Sequence, residues 1–439
     1  MRTKGYEKFV AVKVNFTNDD KWLFVPSWLV STVIVLWLTL PHIALRFSYL
    51  PIIQASYASL ILLVFSSIFF VVLLRLRVQK KIVPVLLIFL SVALYGSFLG
   101  LSHGRTIFDV AKSAYELLAP IILLFLILLS RITSRSLVRS VMTPLLWVSF
   151  VDATYTIYQY LWVHHYQELW FYDPLTRMGN ELSSWDYEIS NTSTTSGNTV
   201  IRAPGIFTSP LENVYVISMT CIYFSIKTIK TNFLYAFPTS FYILIGYMTG
   251  VRTFFIGIFI AFLAWVFIEI KWIKKPLYLF IIIPFASIVA TYLFMLINLA
   301  SLDLSALGRL DQLNKVFNLL LENPLGYGFG SIGIGKDFLF DSVYGTWFVS
   351  LGLIGGVGIV YIYYWLSKQL LKASSLAVES NDIILLLTLI LFSIDLAYIS
   401  QFQYALMTPG RWYFVIAAAI TLNRLRINIV RGTNNAPSH

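Results

Sequence analysis

Long apolar segments recur along almost the whole chain, and they constrain its fold more than any other feature. Runs of roughly 20 apolar residues follow one another with short polar connections, and as a helix each would cross a hydrocarbon core of about 30 Å. Of the 439 residues, 58% are hydrophobic and only 12% are charged, about half the charged fraction of a soluble globular protein. The sequence therefore predicts an all-α polytopic membrane protein rather than a large soluble helical protein.

The Lys and Arg residues predict the orientation of the chain. We predict about 12 transmembrane helices, and a cytoplasmic N-terminus then places 22 of the 32 Lys and Arg residues in the seven inner segments. Cytoplasmic segments of membrane proteins carry this excess of positive charge, so both termini are predicted to be cytoplasmic. The same distribution explains the net charge of +11 by topology, and no nucleic-acid partner is expected.

The predicted topology divides the chain into segments with different roles. In chain order they are a cytoplasmic tail (1–21), transmembrane helices 1–5 (22–163), an extracytoplasmic loop (164–208), transmembrane helices 6–9 (209–299), a second extracytoplasmic loop (300–342), transmembrane helices 10–12 (343–423) and a cytoplasmic tail (424–439). The first tail is polar and has no apolar core of a signal peptide, so we expect it to be retained.

The two extracytoplasmic loops differ in character. The first is rich in Ser, Thr and Asn from Ser190 to Thr199, which is typical of a mobile surface segment. The second contains an amphipathic helix, expected at the interface or capping the bundle, which Pro324 should end. Its apolar residues at helical spacing are Leu307, Leu310, Leu313, Phe317 and Leu320, opposite Asp311, Gln312 and Lys315.

Four arginines lie at the predicted outer face, away from the cytoplasmic segments that hold most of the Lys and Arg residues. They are Arg202, Arg252, Arg309 and Arg411. Arginine suits phosphate because its planar fork stays charged and donates paired hydrogen bonds. Arg202, Arg252 and Arg309 come from three separate segments and could converge on one diphosphate. The alternatives remain open: a lipid contact for Arg252, a salt bridge within its loop for Arg202, and for Arg309 a lipid contact or surface pairing with Asp311. Arg411 is favoured as an interfacial anchor, with substrate binding as its alternative.

A carboxylate precedes the tenth predicted span. Asp341 could remove a proton from a sugar hydroxyl, although Asp341 and Ser342 are also good helix caps. Other outer acids compete for the role of base: Asp173, Glu181, Asp186, Glu188, Glu212 and Asp337.

Alternating glycines follow Pro324. Gly326, Gly328 and Gly330 lack the strand and helix of a dinucleotide-binding unit, so that fold is excluded. A tight loop that re-enters the membrane is favoured, and its backbone amides can also bind anions. Aromatic side chains at the outer face could stack on sugar rings or form an interfacial belt; they are Trp170, Tyr172, Trp185, Tyr187, Tyr327 and Tyr344.

Neither a metal site nor a disulfide is predicted. Cys221 is the single cysteine, and His103, His164 and His165 show no spacing to other ligands that would suit a metal.

In order and spacing these motifs resemble the O-antigen polymerase and ligase (Wzy/WaaL-like) family of integral membrane glycosyltransferases. The resemblance covers roughly residues 200 to 360. It is carried by Arg202-x-x-Gly205-x-Phe207-x-x-Pro210, Arg252, Arg309, Pro324-Leu325-Gly326-x-Gly328-x-Gly330 and Leu351-Gly352-Leu353-Ile354-Gly355-Gly356. The ligase branch typically has a histidine before the span after the large loop, where this chain has Asp341-Ser342, and this departure favours the polymerase branch.

The resemblance implies a GT-C-like, metal-independent enzyme without a cofactor in the bacterial cytoplasmic (inner) membrane, with its active site facing the periplasm or cell exterior. The donor would be a glycan on undecaprenyl diphosphate, held by Arg202, Arg252 and Arg309. Gly205, Pro324, Gly326, Gly328, Tyr344 and Arg411 are the other expected binding residues. Membrane lipid and a chain-length regulator protein are the implied partners.

The leading hypothesis is a polymerase of surface-glycan repeat units. Ligation of the glycan to a lipid A core or another acceptor is the first alternative. A flippase or transporter of lipid-linked oligosaccharide is an alternative from a different class, since twelve spans are common among transporters. However, in-span charges such as Asp152, Glu116 and Asp395 are few, and no internal repeat is evident.

Overall fold

A computed structural model describes the central part of the chain. The described residues are 82–129, 134–166, 192–195, 198–201, 203, 205–206, 210–251, 253–269, 304–332, 338, 340, 343–380, 383, 387–388 and 390–391. Within them the chain is mostly helical, as predicted. The two predicted tails and the first, second, ninth and last predicted spans lie outside these residues, so the number of crossings stays a prediction.

Eight α-helices occur in the described part of the chain. They are α1 (Val83–Ser102), α2 (Ile107–Leu129), α3 (Ser134–Tyr166), α4 (Pro210–Lys230), α5 (Ala236–Met248), α6 (Thr253–Glu269), α7 (Leu304–Glu322) and α8 (Val343–Ser380). A 3-10 turn, Phe233–Tyr235, leads into α5. Local sequence explains the starts of two helices. Pro84 lies in the first turn of α1, where its missing N–H costs nothing. The Thr106 hydroxyl caps α2 by accepting a hydrogen bond from Asp109 N at 3.1 Å.

Two of the described helices are long and apolar enough to cross a membrane. They are Val83–Ser102 and the Val343–Leu366 part of α8, with 20 and 24 residues. On α1 the side chains of Leu94 and Phe98 are 71% and 70% exposed, as expected of a surface that lipid covers. These helices indicate membrane association.

The helices pack in two groups. In the first, α1 contacts α2 and α8, and α8 also contacts α7. In the second, α4 and α5 contact each other, and both contact α3 and α6. The second group encloses an apolar core that includes Ile217 of α4, Ile245 of α5 and Phe254 of α6. Contacts between α6 and α8 connect the groups.

A β-hairpin lies in the first predicted extracytoplasmic loop, which the all-α prediction omits. Strand β1 (Thr192–Thr195) pairs antiparallel with β2 (Asn198–Ile201), with Thr195 opposite Asn198. The threonines explain the strands, because β-branched side chains favour extended backbone.

The predicted amphipathic helix is confirmed as α7, which ends at Glu322 just before Pro324. Of the predicted apolar residues whose side chains the structure describes, Leu320 packs against the core beside α8 and Phe317 does not. Val316 and Leu319 pack on the core beside α8, whereas Phe317 is 66% exposed. The reason is that the segment after α7 folds back under Val316 and Leu319 and supplies Ile332 to that core.

Candidate functional site

Helix α8 is broken near its N-terminal end. Gly352 has φ 63° and ψ −169°, so 343–351 and 353–380 are two helices in sequence. Because of the break, the N–H groups that would normally donate to the carbonyls of Val349 and Ser350 no longer do so. Unpaired backbone groups are costly in a membrane, so another part of the chain must satisfy them.

The segment 323–331, here called the glycine loop, fills this break. Tyr327 N donates to Val349 O at 2.9 Å and Gly328 N donates to Ser350 O at 2.8 Å. On the far side of the break, Leu353 N donates to Pro324 O at 2.9 Å. The loop therefore replaces the missing turn of α8 with its own main chain.

Helix α1 holds the other side of the glycine loop. Phe329 N donates to Gly96 O at 2.9 Å, and the Phe329 side chain is fully buried. Tyr95 Oη donates to Leu325 O at 2.8 Å. The loop is thus seated between α1 and the broken α8.

Glycines make this close approach possible. Gly326 and Gly328 have φ of 93° and 79°, in the left-handed region that other residues rarely adopt. A Cβ on Gly326 would overlap Gly352 N, and a Cβ on Gly328 would overlap Gly100 N. Gly96 and Gly100 form a G-x-x-x-G pattern, which permits close contact along a membrane helix and was the available sequence signal for this contact.

An imidazole lies beside the glycine loop. The ring centroids of His103 and Tyr327 are 6.3 Å apart, and His103 Nδ1 is 2.8 Å from Leu99 O. Because a carbonyl only accepts hydrogen bonds, Nδ1 carries the hydrogen, and in the neutral ring Nε2 has the free lone pair. Partial burial, and then the neighbouring Glu322 carboxylate, raise the pKa of Tyr327, so its phenol stays protonated at neutral pH.

The turn between α1 and α2 adds a half-buried arginine, Arg105, which is not among the predicted site residues. Arg105 N donates to Gly100 O at 3.1 Å, which ties this turn to the glycine that contacts Gly328. Asp109, in the first turn of α2, lies against Gly330 at the end of the glycine loop. His103 and Asp109 thus lie beside the loop, and the backbone of Arg105 is tied to the helix α1 glycine that the loop contacts.

A second cluster holds the turn after Arg202, here called the Gly205 turn and described at Ala203, Gly205 and Ile206. Ile206 N donates to Asp152 Oδ1 at 2.9 Å. Gly205 N donates to Gln159 Oε1 at 2.8 Å, and Gln159 Nε2 donates back to Gly205 O at 3.2 Å. Asp152 and Gln159 are both fully buried on α3.

Helix α4 contributes Asn213 to the same cluster. Asn213 Nδ2 donates to Ala203 O at 3.0 Å and to Thr156 Oγ1 at 2.9 Å. Gly205 has φ 63°, and a Cβ there would overlap Asp152 Oδ1. Only glycine therefore fits between α3 and α4 at this turn.

The residues on α3 form one polar stripe. Ser149, Asp152, Thr156 and Gln159 are all fully buried, and their helical spacing places them on a single face. At its N-terminal end, Thr220 Oγ1 donates to Ser149 Oγ at 2.8 Å. The spacing of these residues in the sequence indicates the stripe, whereas Asp152 by itself stands out there only as an in-span charge.

The structure describes only some of the predicted site residues. Arg202, Arg252, Asp341 and Arg411 lie outside the described residues, and Arg309 is described only as part of α7. Pro324, Gly326 and Gly328 meet at the break of α8. Gly205 belongs to the separate Asp152 cluster. Tyr344, in the first turn of α8, is half-buried with its ring 5.9 Å from that of Trp347.

Convergence of the arginines on one diphosphate therefore stays a prediction. Near Arg252 in the sequence, Val251 and Phe254 are buried in the same core as Ala153 and Val214. These two residues directly follow Asp152 and Asn213 in the chain.

Within the described residues, no three His, Cys, Asp or Glu side chains are grouped as a metal site would require.

Comparison of the chain with protein-family models, with curated proteins and with solved structures gives no match.

Proposed function

We propose that the chain is a repeat-unit polymerase for a surface polysaccharide, related to the O-antigen polymerases. One observation carries this proposal. The two glycine motifs on which the resemblance rests, Pro324–Gly330 and Leu351–Gly356, are joined by the main-chain hydrogen bond from Leu353 N to Pro324 O, and two more main-chain bonds tie the first motif to the residues just before the second. Their coexistence in the sequence is then explained by a shared structure, which favours the family resemblance over coincidence.

The arrangement of helix ends supports a site at one membrane face. The glycine loop lies at the C-terminal end of α1 and the N-terminal end of α8. The Gly205 turn lies between the C-terminal half of α3 and the N-terminal end of α4. When successive helices cross the membrane in turn, both places fall on the outer side by the positive-inside rule. A lipid-linked glycan at the outer face would contact both the glycine loop and the Gly205 turn.

The reaction proposed is displacement at an anomeric carbon. The acceptor's sugar hydroxyl oxygen forms a bond to that carbon, the bond from the carbon to the diphosphate oxygen breaks, and undecaprenyl diphosphate leaves with the electron pair. Arg202, Arg252 and Arg309 would stabilise the growing negative charge on the leaving group. The hydroxyl proton passes to a base of the protein.

Two residues are candidates for that base. Asp341 is the candidate from the sequence. His103 is the second, because its hydrogen bond to Leu99 O leaves Nε2 as the acceptor and the side chain is exposed beside the glycine loop. Both belong to segments on the proposed outer side.

Transport of a lipid-linked oligosaccharide is the second candidate function. The broken helix α8 favours it, because transporters often build their binding sites from discontinuous helices. Ligation of glycan to a lipid A core remains the alternative within the enzyme class. Membrane lipid and a chain-length regulator are proposed partners of the polymerase, and the bacterial cytoplasmic membrane is its proposed location.

The test uses the full chain in nanodiscs with a synthetic undecaprenyl-diphosphate repeat unit and EDTA. Products are separated on a gel, and wild type is compared with Arg252→Ala and Arg309→Ala. A ladder of longer lipid-linked glycans that is lost in both arginine variants supports a metal-independent polymerase.

Two other results would contradict it. Transfer to a lipid A core without a ladder would indicate a ligase. Absence of both products, together with movement of the same lipid across vesicles, would indicate a transporter.

A further inference from the structure

We infer that the rings of Tyr327 and Phe338, together with the charged face of α7, form a groove that binds sugar units of the acceptor glycan. The charged face consists of Asp311, Lys315 and Glu322. This inference rests on the proposed function, since it names the surface that holds one of the two substrates. For Tyr327 it selects stacking on sugar over a place in an interfacial belt.

The two rings are held by the protein core and remain partly accessible. Tyr327 and Phe338 pack against the core beside α8, and their ring centroids are 5.0 Å apart at an interplanar angle of 65°. Both side chains are only half-buried. An aromatic face carries partial negative charge, and it therefore attracts the weakly positive C–H groups that line the faces of a sugar ring. The pair offers a fixed surface on which a sugar can stack.

The charged face of α7 borders these two rings. Its three residues lie 4 and 7 positions apart in the sequence, which places them on one side of a helix, and all three are exposed. Lys315 Nζ lies 5.9 Å from the ring centroid of Phe338. Glu322 lies beside Tyr327 and, after partial burial, is the next cause of the raised pKa of that phenol. Rings that can stack and groups that can form hydrogen bonds are thus side by side.

The composition of this surface favours sugar over lipid. Glu322 is the last residue of α7, where the helix dipole disfavours a negative charge, so helix stability does not explain its presence. A carboxylate accepts strong hydrogen bonds from hydroxyl groups, which a sugar has in plenty and a lipid tail lacks. Apolar and aromatic surface with a few well-placed polar groups is also the usual composition of a small-molecule site.

The neighbouring imidazole indicates which glycan occupies the groove. His103 is a candidate base for the acceptor's hydroxyl proton, and its ring centroid is 6.3 Å from that of Tyr327. A glycan stacked on Tyr327 brings its sugar hydroxyls next to this imidazole. The groove therefore suits the acceptor, whose hydroxyl attacks, better than the diphosphate end of the donor.

Helix α8 contains a matched control for the loss of an exposed tyrosine. Tyr361 is 41% exposed, and its ring lies 6.5 Å from that of Tyr364. It belongs to the part of α8 that is long and apolar enough to cross a membrane, where contact with lipid is expected. Tyr361→Leu thus removes a similar ring away from the groove.

The experiment measures binding of sugar without lipid or diphosphate. The probe is the methyl glycoside of the synthetic repeat unit, titrated by saturation-transfer NMR into the full chain in nanodiscs, with thermal unfolding of each variant alongside. Tyr327→Leu should weaken binding roughly three- to tenfold, the scale of one aromatic contact. Tyr327→Phe keeps the ring and should change affinity by less than about twofold. Glu322→Gln should weaken binding about threefold and, because Glu322 is exposed, should fold as wild type does.

Tyr361→Leu should keep the wild-type affinity. Unchanged affinity in both Tyr327→Leu and Glu322→Gln, an equal loss in Tyr361→Leu, or no binding by wild type would overturn the inference. If the glycan ladder still forms in that case, the polymerase proposal stands and only the groove is removed. Binding that depends on Tyr327 without any ladder would keep the groove and remove the polymerase proposal.

Discussion

Tyr327 N donates a hydrogen bond of 2.9 Å to the carbonyl of Val349, a group that an unbroken α8 would have paired within the helix. A loop outside the helix has taken the place of a helical turn. Any movement of the glycine loop must therefore expose main-chain groups of α8, which couples the loop that carries the predicted ligand residues to a helix that is long enough to span the membrane.

Replacing Gly328 by alanine should destabilise the protein strongly. The new Cβ would overlap the backbone of Gly100 in a left-handed conformation, and the cost of overpacking alone is about 1–3 kcal/mol. Thermal unfolding in detergent would measure it. Gly257→Ala on α6 is the control, because nothing lies within 4 Å of its Cβ position, and this variant should be neutral or slightly more stable. Equal unfolding temperatures for the two variants would argue against the seating of the loop on α1.

Removing the Tyr95 hydroxyl should loosen the loop mildly. Tyr95→Phe deletes only the hydrogen bond to Leu325 O, and such bonds contribute about 0.5–1.5 kcal/mol. Amide hydrogen exchange at residues 325–328 should become faster while exchange in α4 and α5 is unchanged. Unchanged exchange at the loop would show that this bond does not restrain it.

Helix α7 should be sensitive on the face that contacts the core. Leu319→Ala should cost about 2–3 kcal/mol, the lower part of the range for a buried leucine. Phe317→Ala should cost below about 0.5 kcal/mol, because most of that side chain is exposed. The two free energies of unfolding can be compared directly in detergent. The reverse order would contradict the packing of Leu319 on the core beside α8.

The two candidate bases make different predictions for polymerisation. If His103 is the base, His103→Ala should lower kcat by about a hundredfold or more, a typical contribution of general base catalysis, with substrate affinity little changed. Asp341→Asn should then retain most activity, as expected of a helix cap. Rates from the gel ladder decide between them, and a large loss only in Asp341→Asn would assign the base to Asp341.

The helices were predictable because apolar length and helical periodicity are local properties of the sequence. The end of α7 before Pro324 and the starts of α1 and α2 follow from residues within one turn of each boundary. The break in α8 was not predicted. Its sequence contains several glycines, and nothing local distinguishes Gly352, which is left-handed, from Gly355 and Gly356, which lie in the helix.

The sequence predicted individual residues of the candidate site, but not the contacts between them. Pro324, Gly326 and Gly328 were selected from their spacing, but the partner of Gly328 on α1, Gly100, lies more than 200 positions away. Such long-range main-chain contacts leave only weak signals such as G-x-x-x-G. The role of Asp152 was missed because a single charge in an apolar span does not reveal which loop it binds. Its stripe with Ser149, Thr156 and Gln159 was the stronger signal.

The most direct test of polymerase activity mixes ordinary and carbon-13-labelled undecaprenyl-diphosphate repeat units with the purified chain and EDTA. Mass spectrometry then follows the products. A polymerase should give lipid-linked dimers that contain both labels, with one undecaprenyl diphosphate released for each new glycosidic bond. Recovery of both repeat units unextended, without release of undecaprenyl diphosphate, would contradict it.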